Sequence, residues 1–180
     1  MKKNVLVFGL ISGLIAAGTL LVSIEYGYSN PNFKGGMWLG YGSMIVAFSL
    51  IFVGIKNLRD KYYDGSINFG KAFKTGLLIA LIGSTMYVAA WVVDYYCFHP
   101  DFMDKYAASV MTQAKTDGAS VAEINKQQAQ MATYAEMYKN PFMLIVLTYI
   151  EILPVGIVIA LLAAFILKRK AGGIPVASAA

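Results

Sequence analysis

Few residues in this chain have side chains suited to chemistry, and most of them are acids. Glu25, Asp94 and Glu151 lie in or beside long apolar runs, while the only histidine, His99, and the only cysteine, Cys97, stand side by side within three residues. A carboxyl group inside an apolar run can exchange a proton, hold a cation or clamp helices together. Which of these it does depends on its depth and partners. At about 1.5 Å per helical residue, Glu25 lies about 33 Å from Lys3 and Asp94 about 30 Å from Lys74. Both therefore reach the far interface, where water and headgroups are close. Glu151 follows Asn140 by about 16 Å and precedes Lys168 by about 25 Å, so it is the embedded acid. An acid at that depth costs a few kcal/mol, so it is expected to face the bundle and be paired or protonated. Pro154, three residues on, cannot donate to the carbonyl of Ile150 and so leaves a free acceptor beside the acid. Ser12, Thr19, Ser43, Ser49, Ser84, Thr85 and Tyr87 are its candidate donors. Two readings of Glu151 follow: proton or cation handling, or a buried polar clamp on the fourth run.

Other chemistries have little support. His99 and Cys97 do not make a zinc set, so no metal site is expected. H-E-x-x-H, G-x-S-x-G and P-loop patterns are absent, so no cofactor and no enzymatic activity is expected. A Ser/His/Asp site would have to use His99, for which the sequence defines no partner. Cys97 reads as an ordinary interfacial residue rather than half of a disulfide.

The elements that position these residues follow from composition. The chain has 180 residues, of which 58% are hydrophobic and 14% charged. The mean hydropathy is +0.59. A soluble domain of this size has too much surface to hide that much apolar area, and disorder is excluded on the same grounds. The remaining solvent is a bilayer. Four charge-free runs, 4–24, 35–55, 75–93 and 140–167 (the last broken only by Glu151), are each long enough to cross about 30 Å of hydrocarbon as helix. No strand periodicity suggests a barrel. Lys2 and Lys3 precede a first run too long for a signal peptide, and no convincing cleavage site follows, so it reads as a retained helix. The expected fold class is all-α, an integral membrane bundle with spans at about 4–26, 35–56, 74–97 and 140–167. Together they form a single domain over 1–170, with a flexible tail at 171–180.

Lys2, Lys3, Lys56, Arg59, Lys61, Lys71, Lys74, Lys168, Arg169 and Lys170 fall on one side of such a bundle. Lys34, Lys105, Lys115, Lys126 and Lys139 fall on the other. The positive-inside rule then places both termini and the middle loop in the cytoplasm of a bacterial inner membrane. The net charge of +5 is therefore a topology signal and a contact with anionic lipid, with no bearing on nucleic acid. Tyr26, Tyr28, Phe33, Trp38, Trp91, Tyr95, Tyr96, Phe98 and Phe142 bracket the outer loops, as interfacial rings do.

The outer segment 98–139 is too long to be structureless. It reads as two amphipathic helices, the first opened by His99-Pro100-Asp101 and ended by Asp117-Gly118, the second started by a Ser120/Glu123 capping box. These helices lid the bundle, lie on the membrane, or dock a partner. The inner loop carries Lys56, Arg59, Lys61, Lys71 and Lys74 around an Asp64-Gly65 turn. Ile67, Phe69 and Phe73 are placed there to sit in the interface as a basic anchor. Small residues recur every three or four positions in each run: Gly9, Gly13 and Ala17; Gly36, Gly40 and Ser43; Gly76, Ala80 and Ser84; Gly156, Ala160 and Ala164. Such faces pack helices within a bundle or between copies. No internal repeat supports a transporter built from inverted halves.

Gly54-Ile55-Lys56, the stretch Gly65-Ser66-Ile67-Asn68-Phe69-Gly70-Lys71-Ala72-Phe73, Gly76-Leu77, Asn140-Pro141 and Glu151-Ile152-Leu153-Pro154-Val155-Gly156 together resemble the domain of unknown function 4199 family. The resemblance covers roughly residues 3 to 170 and rests on the order and spacing of these motifs. It implies a four-span bacterial membrane protein and carries over no activity, cofactor or catalytic residue. Two function classes result. One is a non-enzymatic accessory or scaffold protein that packs with itself or a membrane-protein partner. The other is a small proton- or ion-coupled transporter or channel subunit using Glu151.

Overall fold

A computed structural model of the chain describes residues 2–29 and 36–169. Phe33, Lys34, Lys170 and the tail 171–180 lie outside the described residues. Among the described residues six helices follow one another: α1 (Lys2–Ser29), α2 (Gly36–Tyr62), α3 (Phe69–Cys97), α4 (Phe102–Thr116), α5 (Val121–Tyr138) and α6 (Pro141–Leu167). Of these, α1, α2, α3 and α6 are long and apolar enough to cross a membrane. The short pair α4 and α5 forms a helical hairpin between the third and fourth long helices.

The long helices extend past the charge-free runs. α2 continues through Lys56, Arg59 and Lys61, whose last turn places cations at the negative end of the helix dipole. The turn is tight: Asp64 and Gly65 take φ values of 47° and 77°. α3 then starts at Phe69 because the Asn68 side chain accepts a hydrogen bond from the Lys71 amide. Lys71 and Lys74 are therefore helical rather than in a loop. Ile67 also departs from expectation, since it is buried against the core instead of sitting in the interface.

α3 is the central helix and packs most extensively on α1 and α6. The close approach of α3 and α6 requires small residues on both sides. A Cβ on Gly76 would meet the Ala160 Cβ at 2.9 Å, and one on Gly156 would meet the Ala80 Cβ at 2.8 Å. Three of the small-residue stripes are thus used inside the bundle, Gly9 and Gly13 lying against Ile82 and Met86 of α3. The stripe of α2 is different: Gly40 meets nothing within 4 Å. Phe48 of α2 is fully buried and wedges between Gly83 of α3 and Gly156 of α6. At the end of the bundle that holds the α2–α3 turn, Asn4 donates to the Gly54 carbonyl at 2.7 Å, and Ile67 pairs with Arg169 as an antiparallel bridge. This end is called the basic face below, and the opposite end the hairpin face.

On the hairpin face, α4 begins at Phe102 with Asp101 as N-cap, so Pro100 precedes the helix instead of occupying its first turn. The Ser120/Glu123 capping box is formed in both directions. Met103 and Ala114 of α4 are buried, whereas α5 buries none of its residues. The second hairpin helix is therefore a cover with one open side.

Candidate functional site

The hairpin face gathers polar residues from three segments. Asp94, one turn before the end of α3, is only 6% exposed. Two successive amides, those of Phe98 and His99, donate to the Asp94 carbonyl at 2.9 Å each. That turn swings the His99 ring back over its own helix, and His99 Nδ1 comes within 2.9 Å of Asp94 Oδ2. The other ring nitrogen, Nε2, faces Glu25 Oε2 of α1 at 3.8 Å. His99 thus lies between a buried carboxyl and a largely exposed one.

Aromatic contacts hold this group in place. The Tyr28 ring lies 4.2 Å from the His99 ring, centroid to centroid. Its hydroxyl donates to Asp101 Oδ1 at 3.1 Å. Lys105 bonds Asp101 Oδ2 at 2.8 Å and sits 4.1 Å over the Tyr28 ring. The Lys105 hydrogen bond, aided by Tyr28, holds the Asp101 carboxyl below its usual range. Phe102 meets the Trp91 ring edge-on at 4.7 Å, and Ile24, Trp91, Tyr95, Met103 and Leu144 form a second small core beneath. The ends of α1 and α3 are thereby tied to the start of α4.

Asp94 and Glu25, read from the sequence as separate interfacial acids, are brought together by His99. The sequence defines no partner for His99, and the structure supplies two. The available signal was an aspartate and a histidine five residues apart across a helix end. Asp101, Tyr28 and Lys105 were not picked out from the sequence as polar partners.

Glu151 stands apart from this cluster, and its surroundings differ from expectation. It is exposed on the flank of α6 instead of facing the bundle interior. Among the described residues no hydrogen bond or ion pair engages it. Most of the expected donors are occupied elsewhere: Thr19 bonds the Ile15 carbonyl, Ser43 that of Gly40, Ser49 that of Val46, and Thr85 bonds Leu81 and Tyr149. Ser12 and Ser84 are fully buried and unbonded, with Ser12 close to Gly83 in the α1–α3 seam. The neighbours of Glu151 are tyrosines. Tyr87 of α3, Tyr106 of α4 and Tyr138 of α5 lie within electrostatic reach of its carboxyl group. Burial pushes the Tyr138 hydroxyl up to about 12 and raises Tyr106 as well. Pro154 lies in a helix that continues through it and is exposed on the same side.

The cluster can tie the hairpin to the ends of α1 and α3. No group of three His, Cys, Asp or Glu among the described residues is placed to hold a metal ion. Of the five loop cations, Arg59 pairs with Asp60 at 2.7 Å and reaches the Leu167 carbonyl at 3.5 Å, while Lys56, Lys61, Lys71 and Lys74 are exposed.

In comparison with known proteins, no curated protein and no solved structure matches the chain. A family model described as a protein of unknown function, DUF4199, matches residues 7–169, which takes in α2 to α6, most of α1 and both the His99 and Glu151 regions. The chain therefore belongs to the domain of unknown function 4199 family.

Proposed function

We propose that this chain is a non-enzymatic accessory or scaffold protein of a bacterial inner membrane, with both termini cytoplasmic and the α4–α5 hairpin outside, which packs with a second copy of itself or with a membrane-protein partner. The observation that carries this reading is the position of Glu151. It is an exposed acid with no hydrogen-bond or ion-pair partner among the described residues, roughly 16 Å of helix below the start of α6. In hydrocarbon such a carboxyl costs a few kcal/mol, and a helix that covers and hydrogen-bonds it removes that cost. Ile150, Val158, Leu162 and Phe165 extend the uncovered apolar surface along α6.

Cysteine cross-linking tests it. With the native Cys97 replaced by serine, cysteines at Ile150 and Val158 are expected to give dimers in lipid nanodiscs. A cysteine at Leu14, exposed on α1, is expected to give none. Glu151→Leu is expected to weaken the product. A chain that stays monomeric in lipid, with no product from α6, removes self-packing.

The tyrosines near Glu151 favour a second reading, a small proton- or ion-coupled transporter or channel subunit in which Tyr106 and Tyr138 of the hairpin lie within electrostatic reach of the coupling acid. Proton flux into liposomes that is lost in Glu151→Gln would put this reading first.

A further inference from the structure

The basic face holds a cavity of about 560 Å³ between the α2–α3 turn, the first turn of α3 and the end of α6. Its walls divide by chemistry. Tyr63, Ile67 and Phe69 supply an apolar side, whereas Lys71, Lys168 and Arg169 supply three cations, and no acid lines it. The cations come from two places far apart in the chain, Lys71 in the first turn of α3 and Lys168 and Arg169 after α6, which the fold brings together. Ile67 and Arg169 exchange backbone hydrogen bonds of 3.0 and 2.8 Å, which holds the segment after α6 against the turn. Lys71 lies 4.7 Å over the Tyr63 ring, and Lys168 lies 4.2 Å over Phe165. Neither lysine, nor Arg169, has an ion-pair partner among the described residues. Asp60, an acid whose charge reaches Arg169, is already paired with Arg59 at 2.7 Å.

We infer that this cavity is a binding site for a phosphate-bearing anion, the phosphodiester of an anionic lipid headgroup being the occupant its setting favours. Three cations around one cavity, with no ion-pair partner among the described residues, suit a phosphate group, and Arg169 can bond it through two N–H groups at once. The positive end of the α3 dipole at Asn68 and Phe69 adds to the attraction. The apolar wall at the edge of four membrane-length helices suits the glycerol and upper acyl carbons of a lipid, which a free phosphate would leave uncovered. This site is independent of Glu151, at the other end of the bundle from the hairpin.

The test titrates the full chain in zwitterionic detergent with short-chain phosphatidylglycerol, short-chain phosphatidylcholine and inorganic phosphate. Bound molecules are counted by native mass spectrometry. Phosphatidylglycerol is expected to bind, and phosphatidylcholine is not. Loss of the three cations in Lys71→Gln/Lys168→Gln/Arg169→Gln is expected to weaken binding about tenfold or more, since each cation near an anionic headgroup contributes measurably. A charge-matched control, Lys2→Gln/Lys3→Gln/Lys56→Gln, is expected to bind as the unaltered chain does. Competition by inorganic phosphate at equal concentration would assign the site to a soluble phosphate compound, and its failure to compete assigns the site to lipid. Equal weakening by both triple variants, or by neither, overturns the site. Circular dichroism checks the fold, and Arg169→Gln alone carries the test if the triple variant loses helix.

Discussion

Asp94 and His99 set the energetics of the hairpin face. Asp94 is buried, and His99 Nδ1 at 2.9 Å is its side-chain partner. A buried polar group deprived of its partner costs about 1–3 kcal/mol, more if it is charged. His99→Ala is therefore expected to lower unfolding stability in lipid nanodiscs by that amount. Asp94→Asn exchanges the carboxylate for a neutral amide and is expected to cost less. Combined, the two substitutions should cost less than their sum, with a coupling of about 0.5–3 kcal/mol for groups in direct contact. Additive effects would mean that the pair does not hold the fold. Half of this arrangement was legible in the sequence. Counting helical rise placed Glu25 and Asp94 at the same level, but rise says nothing of rotation, and only the turn at Phe98 brings His99 between them. For Glu151 the rotational signal was present. Gly156, Ala160 and Ala164 mark one stripe of α6, and stepping it back by four gives Ile152 and Thr148, both buried. At about 100° per residue, Glu151 falls off that stripe, so the expectation that it faces inward rested on cost alone.

At the scale of elements, the α3–α6 contact separates packing from composition. Gly76 and Gly156 each stand where a Cβ would come closer than 3 Å to an alanine Cβ of the other helix. Gly40 has the same residue type and the same kind of spacing but has nothing within 4 Å. Gly76→Ala is expected to destabilise by about 1–3 kcal/mol through overpacking of backbones that cannot separate. Gly40→Ala is expected to be neutral or slightly stabilising, because alanine restricts a helical backbone less unfavourably than glycine. Denaturant unfolding of the two variants in the same lipid decides it, and equal losses would sink the assignment of α3–α6 as the close seam. The number, order and approximate limits of the long helices follow from hydrophobic runs and flanking charges. Their true ends do not, because a helix continues past the last apolar residue wherever a cap or a following turn satisfies its terminal backbone groups, as the Asn68 side chain does at the start of α3 and the Tyr63 and Gly65 amides do at the end of α2.

At the scale of the molecule, the two faces differ in charge and in construction. One end carries Lys56, Lys61, Lys71, Lys74, Lys168 and Arg169 around a short turn; the other carries a hairpin of mixed charge braced by aromatic rings. In a bilayer this asymmetry has a directional consequence, since cations near the ends of spans are retained on the cytoplasmic side. Under that rule orientation is set independently of how the helices pack, because the charges act on segments as they insert. Cysteines replacing Lys61, at the end of α2, and Lys115, in the last turn of α4, lie at opposite ends of the bundle. With Cys97 changed to serine, a membrane-impermeant maleimide applied to intact cells is expected to label position 115 and to reach position 61 only after the membrane is opened. Labelling of both positions from the same side would mean that the four apolar helices do not all cross. Labelling of 61 alone from outside would keep four crossings and reverse the molecule, moving the cation-lined cavity at Arg169 to the outer leaflet and the Asp94–His99 group to the cytoplasm.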